Sequence, residues 1–185
     1  MSKALWFNAL GFQGVWWALA LGVPRGFGVL SALIASAYLI WQWQQAKHRN
    51  LVVLSVMSCA ALGLVADTLL GLLGGVTFTV ANPAPFEAIQ PWWLCLLWMS
   101  LGCTLHSSLQ WLCNWPKLSI LLSAVAGVAS YEAAIPLGLM HWQSSAPYWI
   151  LGFVWGMCFP VLLFALNGRW SSQAPAPIEI QRGSA

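Results

Sequence analysis

Three ionisable side chains, Asp67, His106 and Glu132, stand inside long apolar runs of the sequence. On insertion scales an aspartate at the centre of a membrane helix costs on the order of 2.5–3.5 kcal/mol, so such a residue marks a site that binds a ligand, carries a proton or bridges helices. Asn8, Gln13, Gln110 and Tyr131 also lie within long apolar runs and offer amide and phenol groups to the same chemistry. Asp67 and Tyr131 suit solute or proton binding, and His106 suits general base work. Each also has a plainer use: a polar group satisfied across helices simply fixes their packing.

The elements that must position these residues are membrane helices. Only 6% of the 185 residues are charged and 60% are apolar. A helix rises about 1.5 Å per residue, so a hydrocarbon core of about 30 Å needs roughly 20 apolar residues. Six runs meet or approach that length: Ala4–Val23, Phe27–Trp43, Leu51–Val76, Trp92–Cys113, Leu118–Met140 and Pro147–Asn167. The fold class expected is all-α, a six-transmembrane-helix bundle over residues 1–169, followed by a disordered cytoplasmic tail at 170–185. The alternation of a membrane barrel is absent.

Charge sets the orientation. With the N-terminus cytoplasmic, Lys3, Lys47, Arg49, Lys117, Arg169 and Arg182 fall inside and Arg25 alone falls outside. Both termini are therefore expected in the cytoplasm. The net charge of +3 reflects this asymmetry and gives no reason to expect nucleic acid as a partner. Ala18-Leu19-Ala20 resembles a signal-peptide cleavage site, but Asn8, Gln13 and the paired Trp16 and Trp17 interrupt the plain apolar core such a peptide needs, so the first run is read as a retained span.

Depth decides which polar residues can meet. Asp67 lies about 24 Å along its span from the inner edge, and Glu132 about 21 Å along its own. The fourth span descends from outside, which puts His106 about 21 Å down, in the inner third. Asp67, Tyr131 and Glu132 are thus expected to form an outer cluster, with Arg25 reaching towards it. Asn8, His106 and Gln110 are expected to form an inner one, with Gln13 between. Gly63, Asp67 and Gly71 share one helix face, as do Gly102, His106 and Gln110, and Ser123, Gly127 and Tyr131. The small residues let neighbouring backbones approach. Pro136 and Pro160 are expected to bend their helices.

Most of the 14 tryptophans fall near span ends and read as interfacial anchors, Trp93 among them. Trp16, Trp17, Trp98 and Trp155 lie deeper, where packing is favoured over an aromatic pocket. The five cysteines all lie within spans, without CxxC spacing, and read as packing residues. HExxH, GxSxG, GxGxxG and Walker patterns are missing, so no catalytic residue, metal or cofactor is expected. Ser107 and Ser108 adjoin His106, but successive helix positions diverge by about 100°, and the spacing does not make a nucleophile–base pair.

Several stretches together form a recognisable pattern. They are Asn8-Ala9-Leu10-Gly11-Phe12-Gln13-Gly14-Val15-Trp16-Trp17, then Gly63-Leu64-Val65-Ala66-Asp67, then Pro91-Trp92-Trp93 through Leu97-Trp98-Met99 to Thr104-Leu105-His106-Ser107-Ser108-Leu109-Gln110-Trp111-Leu112, and finally Gly127, Tyr131 and Leu137-Gly138. In these the chain resembles the DUF2878 family of bacterial inner-membrane proteins, over all but the tail. It departs from the family pattern in the fifth span, where Val128 follows Gly127 and Ala134 replaces a glycine.

The resemblance implies accessory work in membrane-lipid (fatty-acyl) or envelope modification, with acyl chains or lipid-modifying enzymes as partners beside the bilayer itself. Two other classes stand against it: a small-solute transporter or substrate-binding membrane subunit, and an intramembrane enzyme. An inverted repeat of the transporter kind is not evident, and the depth argument separates the groups an enzyme would need to combine.

Overall fold

Apolar runs with no internal water to bond must close their backbone hydrogen bonds locally, and the chain is accordingly mostly helical. The computed structural model describes residues 3–143 and 147–172. Helix α1 (Lys3–Gly22) turns through a 3-10 segment at Val23–Arg25 into α2 (Gly28–Gln45), and Gly26 takes the left-handed conformation the turn needs (φ 83°). Helix α3 (Arg49–Leu72) leads to strand β1 (Val76–Phe78) and a long loop, then to α4 (Trp92–Gly102). Helix α5 (Pro116–Ala134) is followed by β2 (Met140–Trp142), α6 (Pro147–Phe153) and α7 (Phe159–Ser172).

Segments 4–25, 49–72, 116–134 and 148–168 are long and apolar enough to cross a bilayer. Their outer faces are clad in exposed Phe7, Leu10, Val65, Leu121, Val125 and Val161, a surface suited to lipid and not to water. This is a helical membrane protein. Helix α2 ends in Gln42, Trp43, Gln44 and Gln45 and falls below the other segments in apolar length.

The expected spans change in three places. The fourth, expected to run unbroken from Trp92 to Cys113, stays helical only to Gly102; tight turns follow, then a 3-10 segment at Gln110–Asn114. The third and fifth stop at Leu72 and Ala134, and β1 and β2 beyond them pair antiparallel, with Thr77 opposite His141. Pro136 therefore lies past the end of its helix and does not bend it. Pro160 does what its missing N–H dictates: a π-helical turn at Val154–Cys158 joins α6 to α7 immediately before it. The expected tail begins inside α7, and residues 173–185 lie outside the described residues.

Helix α4 is the hub. It packs on α1, α2 and α3, while α5 packs against α6, the π turn and α7. The core runs through Val15 and Leu19 of α1, Leu70 of α3, Trp93 of α4 and Leu151 and Leu163 beyond the fifth helix.

Candidate functional site

Asp67 is completely buried. Its Oδ1 accepts the Tyr131 hydroxyl of α5, and its Oδ2 accepts Trp98 Nε1 of α4 at 2.8 Å and Gln90 Nε2 at 2.6 Å. All three partners are neutral donors, so one carboxyl group ties α3, α4, α5 and the long loop together. Gln90 is held in place from its own backbone: its N–H donates to Thr68 Oγ1 at 3.0 Å, and Asn82 Nδ2 reaches its carbonyl at 3.0 Å. Gln90 Oε1 is buried without a partner.

The glycines flanking this carboxyl group have a specific use. The Trp98 indole lies directly on Gly63, and the Trp155 indole lies directly on Gly127, leaving no room for a Cβ at either glycine. The two indoles stack on each other with centroids 4.8 Å apart and planes 19° apart. A double slab of tryptophan is thereby clamped between α3 and α5. Tyr131 stacks on Trp142 at 6.4 Å and 14°.

The expected outer cluster is therefore right in Asp67 and Tyr131 and wrong in two members. Glu132 is exposed and accepts from Trp142 Nε1 and Tyr148 OH, each at 2.6 Å, because the next position on the helix points away from Tyr131. Arg25 donates to Leu21 O at 2.8 Å in its own turn and is exposed. Trp98 and Gln90 complete the cluster instead. Trp93, read as an anchor, is buried, with its Nε1 on Val80 O at 2.9 Å.

The inner polar residues do not form one cluster either. Unwinding after Gly102 frees carbonyls that lipid cannot satisfy, and amide side chains from distant helices take them up. Asn8 Nδ2 donates to Cys103 O at 3.1 Å while Asn8 Oδ1 accepts Ser108 Oγ at 2.6 Å. Asn167 Nδ2 donates to Leu105 O at 3.1 Å. His106 sits apart from Asn8: its Nε2 is 2.6 Å from Ser55 Oγ, and Asn167 is its other neighbour. Gln110 is exposed. The shared face expected of Gly102, His106 and Gln110 is lost with the helix. Gly102 instead seats α4 on α3, where an added Cβ would stand 2.7 Å from Val56 Cα.

Two cavities adjoin these layers. The larger, about 780 Å³, lies between α1 and α5, floored by α4. Trp16, Trp17, Trp93, Trp98, Trp155 and Phe159 give it aromatic walls, so the deep tryptophans both pack and line a pocket. Gln13 and Trp17 on α1 and Ala126, Ala129 and Ala133 on α5 line it and are exposed, which places its mouth at the side of the bundle. From Leu122 to Ala134 it follows α5 for roughly 18 Å. Tyr131 reaches this groove and Asp67 does not: the carboxyl group stands one layer behind the wall. Trp155 Nε1, on the groove, is buried without a partner. The smaller cavity, about 600 Å³, opens beside the unwound segment and is lined by Ser107, Gln110, Asn114 and Asn167 among others.

Ser55 and His106 have the spacing of a nucleophile and base, but neither lines either cavity. No group of three or more His, Cys, Asp or Glu side chains converges in metal-binding fashion among the described residues. The described cysteines are free thiols.

The sequence marks Trp98 as a deep tryptophan within the Leu97-Trp98-Met99 stretch and not as a partner of Asp67, and Gln90 carries no signal at all, because depth along a span says nothing about where a loop folds back. The pattern of the family described as "Protein of unknown function (DUF2878)" matches residues 5–161, and the chain belongs to that family. No curated protein and no solved structure matches it.

Proposed function

We propose that this DUF2878 member is a multi-pass protein of the bacterial inner membrane, with both termini cytoplasmic, that holds a lipid acyl chain as an accessory in membrane-lipid or envelope modification. The observation that carries this reading is the groove between α1 and α5. It is large enough for one ligand of ordinary size, walled by indoles and aliphatic side chains, lined by no charged residue among those described, and open sideways past apolar helix faces. An acyl chain can slide into such a trough from the bilayer without crossing a polar barrier.

Asp67 is a positioning residue in this scheme. By fixing Trp98 and Tyr131 it holds the wall against which the chain lies. A solute carrier using Asp67 finds little support, since the carboxyl group is sealed and already accepts three hydrogen bonds. An intramembrane hydrolase using Ser55 and His106 finds little support, since neither residue lines either of these two cavities.

The test compares the membrane lipids of a deletion strain with those of the same strain carrying wild-type protein or Asp67→Asn, at equal protein levels. An altered acyl composition restored by wild type, and restored less well by Asp67→Asn, is expected. Identical lipid profiles with and without the protein would overturn the reading.

A further inference from the structure

The groove and the polar cavity are neighbours, with Ser108 and Trp111 lining both. We propose that they are the two halves of one site, for a single-chain lipid with an uncharged, hydroxyl-bearing head of the monoacylglycerol class. The inference rests on the acyl-chain reading of the groove and adds the head, its place and its charge.

The donor set of the polar cavity identifies the head. Ser107, Gln110 and Asn114 present hydroxyl and amide groups, Ser108 and Asn167 stand beside them with their donors already engaged within the fold, and no charged side chain lines the cavity among the described residues. Phosphate and carboxylate heads are recognised by Arg or Lys forks or by several converging N–H groups. Hydroxyls and ester carbonyls need what is present here, groups that donate and accept in turn. Ser107 Oγ is moreover buried with no hydrogen-bond partner among the described groups, on a residue that lines this cavity.

The backbone agrees with this placement. The chain between Gly102 and Gln110 leaves the regular helix for a run of tight turns, and irregular backbone within an apolar run is tolerated where it is buried in protein or lines a cavity. Here it does line one: Thr104 and Leu109 face the groove, Ser107 faces the polar cavity, and Ser108 and Trp111 stand at the junction. A chain lying along α5 would thus have its head at the unwound segment and its tail running towards Tyr131.

The test uses full-length protein in phosphatidylcholine nanodiscs and a 1-monoacylglycerol carrying a diazirine on its chain, with crosslinked peptides read by mass spectrometry. Ala129→Trp fills the groove at its exposed rim. Gly168→Leu adds a bulky side chain at a position that lines the polar cavity, where a Cβ meets no atom within 4 Å. Wild type is expected to be labelled on the 122–134 stretch, with labelling reduced about tenfold or more in either variant, each eluting as a monodisperse species. A fatty-acid or lysophosphatidic-acid probe is expected to label about tenfold less than the monoacylglycerol. Wild-type labelling in Gly168→Leu, with loss in Ala129→Trp, would overturn the head assignment and leave the groove standing. Equal labelling by the anionic probes would overturn the uncharged head. Labelling indifferent to both variants would overturn the groove reading as well.

Discussion

Around Asp67, donors from two helices and a loop converge on one carboxyl group that touches neither cavity. Around Ser108, hydroxyls and amides are spread over the carbonyls of an unwound segment, and Ser107 Oγ is left over beside an open pocket. The layer around Asp67 concentrates its polar groups behind one wall of the groove, and the layer around Ser108 distributes them along a surface that lines both cavities. A buried acid in a membrane helix thus need not be the place where a ligand binds. It can be what keeps the binding wall flat.

The contrast breaks most directly at its outer member. Asp67→Leu leaves the Tyr131 hydroxyl, the Trp98 indole and the Gln90 amide without their acceptor, and at about 1 kcal/mol or more per orphaned donor the expected loss is roughly 3 kcal/mol. Thermal unfolding in detergent measures it, and unfolding within a degree of wild type would show that the cluster holds nothing. Gly63→Val drives a side chain into the Trp98 indole and is expected to cost about 1–3 kcal/mol by the same measurement. Its control is Gly14→Ala on α1, where nothing lies within 4 Å and helix propensity favours alanine by up to about 1 kcal/mol.

In the inner layer the effects are smaller. Ser55→Ala removes one hydrogen bond to His106 and is expected to lower stability by about 1 kcal/mol while leaving the lipid profile unchanged. A lost lipid phenotype at full protein level would revive the enzyme reading. Smallest of all, and back at the depth of Asp67, Glu132→Gln keeps an oxygen for Trp142 Nε1 and Tyr148 at the exposed rim and is expected to leave unfolding unmoved.

How much of this was legible in the sequence follows from what hydropathy and depth measure. Both report position along the membrane normal, so Asp67 and Tyr131 could be paired from opposite helices, and His106 could be set apart from them. Neither reports azimuth or loop path. Glu132 shares a depth with Asp67 and still faces away, and Gln90 returns from a loop to meet a carboxyl group that no count of residues connects to it.

The break after Gly102 is the larger omission. A run that stays mostly apolar from Trp92 to Cys113 reads as one helix, yet Thr104, His106, Ser107, Ser108 and Gln110 crowd its second half with hydroxyl and polar groups that compete for backbone partners. Thr104 Oγ1 takes the Leu101 carbonyl at 2.6 Å, as such competition implies. The amides that stabilise the broken backbone, Asn8 and Asn167, lie near opposite ends of the sequence and become partners of one segment only in three dimensions.

The groove between α1 and α5 is tested most directly by asking what the protein carries out of the membrane. Wild type and Ala129→Trp, purified in the same mild detergent from the same cells, would be compared by native mass spectrometry for lipid bound per chain. Wild type retaining a single-chain lipid that Ala129→Trp has lost, with both variants folded, is the expected result. Equal retention by the two, or none by either, would contradict an acyl chain in the groove.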